Sequence, residues 1–132
     1  SHAHVIQPVE WVEREGGGKM LVAYGLGDFV SGYRNSPNCI LSGMLSCDFV
    51  RVGDGDAGNA DNVGPGGIAV ENVVWHPLVE HMVGDTDVVR FVKDYSAADA
   101  EANELLATVG DPTTWPLEKT REVIGDVVTI DA

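Results

Sequence analysis

Positive charge is scarce in this 132-residue chain: eight Lys and Arg stand against 21 Asp and Glu, for a net charge of −13. Nucleic-acid backbones are held by cations, so nucleic acid is a poor partner for such a chain. An anionic membrane surface is disfavoured for the same reason. Apolar runs are short, and none approaches the ~20 residues of a membrane-spanning helix. The chain opens at Ser1, directly on a His-x-His sequence and without the pattern of a signal peptide, as expected of a fragment or a processed chain. Cysteine is nearly absent, with only Cys39 and Cys47. On one extended strand, eight residues at ~3.3 Å each hold their Cα atoms ~26 Å apart. A disulfide tolerates only ~7 Å. The two would therefore pair only if the chain turned back near Ser42-Gly43.

Several common catalytic signatures are also missing. Ser31, Ser42 and Ser46 lie in no G-x-S-x-G context. The Gly16–Gly18 run is followed by Lys19-Met20, not by the Lys-Ser or Lys-Thr of a phosphate-binding loop. Asp48 beside Cys47 disfavours a thiolate. Trp11, Trp75 and Trp115 read as core or edge aromatics.

What is present reads as a single globular unit with a moderate core, since 44% of residues are apolar and 22% charged. Val5 to Glu13 has strand alternation, with Val5, Val9 and Trp11 on one face, and Pro8 requires it to lie at an edge or to start late. Met20 to Leu26 is a continuous apolar run, the pattern of a strand covered on both faces. A Gly-rich turn joins the two into a predicted hairpin. Cys39 to Val52 predicts a long strand with an interruption at Gly43. Residues 53–67, rich in Gly and Asp, predict a loop. Ile68 to Val74 predicts a returning strand that bends at Pro77, and Val88 to Val92 a further short strand.

The pattern then changes to helix. Ser96 is placed to cap a helix whose apolar stripe is Leu105, Leu106 and Val109, with Gly110 as its stop. Pro116 suits the first turn of a second helix running to Ile124 and ended by Gly125. Val127 to Ile130 predicts a last short strand. Strands first and helices last, without βαβ alternation, indicate an α+β fold on antiparallel strands, β-rich over 1–95 with a helical tail over 96–132.

His2 and His4 are the first candidates for chemistry. On an extended chain they would point to the same side, as converging imidazoles that bind a metal must. An amino-terminal Ser-His is equally what an expression tag leaves behind. Ser1-His2-Ala3-His4-Val5-Ile6-Gln7-Pro8-Val9-Glu10 resembles the histidine motif of the bacterial poly-gamma-glutamate capsule-synthesis family, which reads close to SHPHVxQPxE. Leu21-Val22-Ala23-Tyr24-Gly25-Leu26-Gly27-Asp28-Phe29-Val30 is similar to that family's YSLGNF segment, at the family's spacing. Val70-Glu71-Asn72-Val73-Val74-Trp75-His76-Pro77-Leu78-Val79 resembles, more loosely, its strand leading into a Pro-containing turn.

The resemblance spans most of residues 1–95. It implies a calcineurin-like metallophosphoesterase β-sandwich, of which this chain would be the carboxy-terminal part. It also implies a dinuclear site of divalent metal ions, with His2 and His4 each supplying a ligand and Asp28 lying nearby. The family's Asn is Asp28 here and its Ser is Gly25. The class's Asp-x-His, Gly-Asp and Asn-His blocks do not occur in this chain and are expected upstream. The expectations that follow are a missing amino-terminal half as partner and no tightly held metal or phosphatase activity in this piece alone. The cell envelope or extracellular face is the expected location. A homodimer is expected through an apolar face made of Val22, Leu26, Leu41 and Leu45. The alternative is a non-catalytic, β-rich binding or scaffolding module with vestigial histidines.

Weaker candidates remain. Asp54, Asp56, Asn59 and Asp61 offer oxygen ligands for calcium, but Gly58 precedes Asn59 where the EF-hand pattern needs a Gly after its third ligand, so a solvated loop tip is the simpler reading. His76 and His81 could serve a metal, but ordinary partly buried or surface histidines are the simpler reading.

Overall fold

The computed structural model describes residues 2–53, 61–64 and 66–132. Strands β1 (Val9–Glu13) and β2 (Lys19–Ala23) form an antiparallel hairpin, with Val9 opposite Ala23 and Glu13 opposite Lys19. The first strand starts late, immediately after Pro8, whose ring nitrogen cannot donate to a ladder. Beyond the hairpin proper, Gln7 N–H donates to Gly25 O at 2.9 Å and Ile6 bridges Leu26. The Met20–Leu26 run is not covered on both faces as predicted: Met20 is 51% exposed and Leu26 40%. A two-stranded ribbon turns only one face to a core, and here that face is carried by Val9 and, in part, Leu21 and Ala23.

A short 3₁₀ turn over Pro37–Ile40, capped by the Ser36 hydroxyl, delivers the chain into β3 (Leu41–Arg51). Next come β4 (Val63–Gly64), β5 (Ile68–Val83) and β6 (Thr86–Phe91). Strand β5 is the axis of the larger sheet. It pairs antiparallel with β3, β4 and β6, and parallel with β7 (Thr129–Ile130). The fold is thus α+β as predicted, with a mixed rather than wholly antiparallel sheet. Strand β3 runs on without turning back, and Cys39 and Cys47 are both free thiols.

Two features of this sheet differ from the sequence pattern. The irregularity expected at Gly43 lies instead on the partner strand. Ser46 faces Val74 and Asp48 faces Glu71, so β5 carries one extra residue, and Asn72 takes the left-handed conformation (φ 51) that a bulge demands. Asn tolerates that region better than most side chains. Gly43 is needed for another reason: a Cβ there would lie 2.2 Å from Cε2 and Cζ2 of the Trp75 indole. Pro77 does not end β5 either. It falls between the stretch paired with β7, which stops at Trp75, and the stretch paired with β6, which starts at Leu78. The ladder is already interrupted at that point, so the absent proline donor leaves nothing unpaired.

Helices α1 (Ala97–Ala102) and α2 (Trp115–Ile124) close the core. Helix α1 begins as predicted: Ser96 Oγ accepts from Asp99 N–H and its hydroxyl donates to the Asp99 carboxylate at 2.7 Å. It ends earlier than predicted, and Leu106 belongs to a separate 3₁₀ turn. The cause is Asn103, fully buried, whose side-chain amide donates to Glu80 O and Tyr95 Oη at 3.0 Å each and pulls the chain off the helical path. Gly125, at φ 70, stops α2 as expected.

Ile6, Val9, Leu41, Trp75, Val79, Ala100, Leu106 and Ile124 share one core, so both helices pack on the strands. Leu41, expected on an exposed apolar face, is fully buried in that core, whereas Val22 and Leu45 are half-buried and Leu26 remains exposed. Among the described residues no helix is long and apolar enough to cross a membrane.

Replacing Gly43 with Val should force the Trp75 ring out of its slot at a cost of ~1–3 kcal/mol. Urea unfolding monitored by tryptophan fluorescence reads this directly, and an unchanged midpoint would contradict the packing described.

Candidate functional site

The segment between β2 and β3 is held where the two sheets meet. Gly43 N–H donates to Leu26 O at 2.9 Å, which docks the end of the hairpin on the free edge of β3. Gly27 follows at φ 77 with its Cα against the Leu41 and Ser42 backbone, a position with no room for a side chain. Asp28 comes next and is 8% exposed. Further along, the backbone N–H groups of Ser31 and Gly32 both donate to the carboxylate of Glu80, at 3.2 and 3.1 Å. Glu80 is fully buried on β5, so the loop is pinned from beneath by a carboxyl group that has exchanged water for amides. Arg34 fastens the far end, meeting Asp87 at 2.7 Å and Glu104 at 3.0 Å.

His4 reaches this loop from the amino-terminal side. Its Nδ1 lies 2.5 Å from Asp28 Oδ2, and its ring stacks on Tyr33 with centroids 4.7 Å apart and planes 14° from parallel. The hydrogen bond to His4 holds the Asp28 carboxyl below the usual carboxylate range, against the opposing effect of burial. An ionised carboxylate can only accept, so Nδ1 carries the proton and the lone pair of a neutral ring sits on Nε2. That is how a ligating histidine is normally prepared, with the carboxylate fixing the tautomer and the ring plane.

The strand argument for His2 and His4 does not hold, because residues 2–3 form a turn and His4 has φ 57. Alternation therefore does not relate the two rings. His2 is exposed in that turn. Of the three residues the sequence nominated, the structure brings His4 and Asp28 together. Sequence reasoning did not find Tyr33 or Glu80, and a Glu within the apolar stretch Leu78–Val83 was the available signal for the latter. Among the described residues no three His, Cys, Asp or Glu side chains form a group able to hold a metal ion. Of the calcium candidates, Asp54, Asp56 and Asn59 lie outside the described residues, and Asp61 sits 3.5 Å from Lys19 Nζ.

The remaining histidines fall in different surroundings. His81 is buried on β5, with Nδ1 2.6 Å from the Tyr95 hydroxyl and its ring edge-on to that of Tyr95. His76, on the same strand, lies between Ser46 and Asp131, with each contact at 2.8 Å. No protein-family model, curated protein or solved structure matches this chain.

Burial, reinforced by the Arg90 charge and partly opposed by Asp99, pushes the His81 imidazole below its ordinary range. The unfolded ring titrates near ~6.5. The unfolded chain therefore binds this proton more tightly. The stability that neutral His81 provides is complete above that value and is lost as the pH falls from it through the lower folded value. Denaturation at a series of pH values should show this decline, and His81→Phe should flatten it. Identical pH slopes in the two proteins would refute the assignment.

Proposed function

We propose that this chain is the carboxy-terminal part of a capsule or poly-gamma-glutamate biosynthesis protein with a metallophosphoesterase-like fold, in which it supplies the His-x-His portion of a dinuclear metal site. The observation that carries the reading is the His4–Asp28 pair. A carboxylate, itself set in place by Gly27 and by the Glu80-pinned loop, fixes the imidazole in the tautomer that leaves Nε2 as a donor. This occurs at the residues where the histidine motif and the YSLGNF-like segment come together.

The donor set fits a divalent ion in part. A neutral imidazole suits zinc, iron or another first-row transition metal, while the carboxylate ligands that such a centre needs would come from the missing amino-terminal half. When bound, a pair of such ions would supply Lewis-acid polarisation of phosphoryl oxygens. The chain's own contributions are to present His4 Nε2, to hold its Nδ1 proton on Asp28, and to buttress the ring with Tyr33. On this reading the protein acts at the cell envelope or its outer face. The exposed Leu26, Phe29 and Met44 then belong to the surface covered by the missing half, or by a second copy in its absence. The net charge of −13 gives divalent cations a favourable field as they approach.

Titration of the chain with zinc, followed by imidazole nitrogen NMR shifts, should perturb His4 Nε2 before His76 and His81. Asp28→Asn should weaken that binding by about 10- to 100-fold. Equal response of all histidines would point instead to a binding module with vestigial ligands. The isolated chain should hydrolyse no generic phosphate ester. Hydrolysis that is abolished both by a chelator and by His4→Ala would show that the centre is complete without an upstream half.

A further inference from the structure

A second constellation lies on the larger sheet, remote in sequence from the amino-terminal motif. Ser46 is on β3, His76 on the adjacent β5, and Asp131 directly follows β7 on the other side of β5. Met44 is the residue opposite His76, so Ser46 is the diagonal cross-strand neighbour on the same face, within reach of a long side chain. Ser46 Oγ lies 2.8 Å from His76 Nε2, and His76 Nδ1 lies 2.8 Å from Asp131 Oδ2. The Asp131 backbone N–H donates to Trp75 O at 2.9 Å, which fixes the carboxylate beside the imidazole. Lys93 Nζ meets the same Oδ2 at 2.7 Å.

The protonation states follow from these partners. Hydrogen bonds from Lys93 and His76 hold the Asp131 carboxyl below its ordinary range, so it stays ionised and only accepts. The Nδ1 of His76 therefore carries a proton, and in the neutral ring Nε2 offers its lone pair to the Ser46 hydroxyl. This is the polarity of a nucleophile, a general base and an orienting acid, which is recognised by geometry and not by chain order. Ser46 is solvent-exposed and His76 only partly covered, so the hydroxyl is open to a reagent. A purely structural latch between β5 and the end of the chain would need only the His76–Asp131 and Lys93–Asp131 contacts. The bond to Ser46 is additional to it.

We propose that Ser46, His76 and Asp131 form a nucleophilic relay in which Ser46 accepts an acyl group from an activated ester or thioester. The Ser46 oxygen attacks the carbonyl carbon, and its proton passes to His76 Nε2, whose positive charge Asp131 stabilises. The carbon–oxygen or carbon–sulfur bond of the donor then breaks, and His76 returns the proton to the leaving alcohol or thiol. The product is a Ser46 ester. Oxyanion stabilisation is a separate contribution of about 10²–10³-fold in serine hydrolases. The relay alone supplies nucleophile and base, so the expected behaviour is covalent capture and not rapid turnover.

The test is incubation of the folded chain with a biotinylated alkyl fluorophosphonate, followed by intact-mass and peptide analysis. In that reaction the Ser46 oxygen bonds to phosphorus, fluoride leaves and the hydroxyl proton passes to His76. One adduct on Ser46 is expected. It should be absent from heat-unfolded protein and from Ser46→Ala, and slowed by about 10²–10⁴-fold in His76→Gln. Asp131→Asn gives a second, independent variant and should also slow labelling while far-UV circular dichroism stays unchanged. No adduct on the folded wild type, an adduct on another residue, or a rate indifferent to both variants would overturn the proposal.

Discussion

Strand β5 is the constraint on which this molecule depends. Four other strands pair with it, and its ladder passes from β4 to β7 to β6 along one side while β3 occupies the other. Trp75, Val79 and Met82 join the core on which the hairpin and both helices pack, and with Leu78 they are almost wholly removed from water. Each also brings a polar neighbour to a defined place. His76, Glu80 and His81 occupy this strand, and each meets a different part of the chain: Asp131, the Ser31–Gly32 backbone and Tyr95 respectively. The polar organisation of the protein is therefore a consequence of one strand's register.

Glu80 shows how the constraint reaches the candidate metal-ligand site. A buried carboxylate is tolerated only when donors replace water, and the two backbone amides do so. Because Glu80 on β5 binds the Ser31 and Gly32 amides, the loop between β2 and β3 takes its position from that strand, and with it Asp28 and Tyr33. His4 then needs only a left-handed backbone turn to meet both. Preparation of the imidazole rests on support from elements distant in sequence, as metal sites generally require.

The elements with strong local signals were legible in the sequence. Pro8 and the three glycines marked the hairpin, Ser96 with Asp99 marked the start of α1, and Pro116 with Gly125 bracketed α2. The misreadings share a cause, in that tertiary partners overrode local pattern. Asn103 ended α1 through bonds to β5 and Tyr95 that no window of sequence contains. Pro77 was compatible with a central strand because the neighbouring strands change over at that point. Gly43 looked like a break, yet it serves as the floor beneath an indole. At the sites, His4 and Asp28 were nominated as separate residues, but their contact was not foreseeable by strand alternation, since residues 2–3 form a turn. Ser46, His76 and Asp131 carry no local motif at all and meet only because three strands lie side by side.

The bulge at Asn72 gives the long strand a change of phase. Between the Ser46–Val74 and Asp48–Glu71 pairs β5 has two residues where β3 has one, so Val74 and Glu71 share a face although they are three residues apart. Strict alternation would put residues 71 and 74 on opposite faces, so the bulge is what keeps both limbs of β5 in step with β3. One left-handed asparagine thus decides which of β5's side chains look inward and which look out.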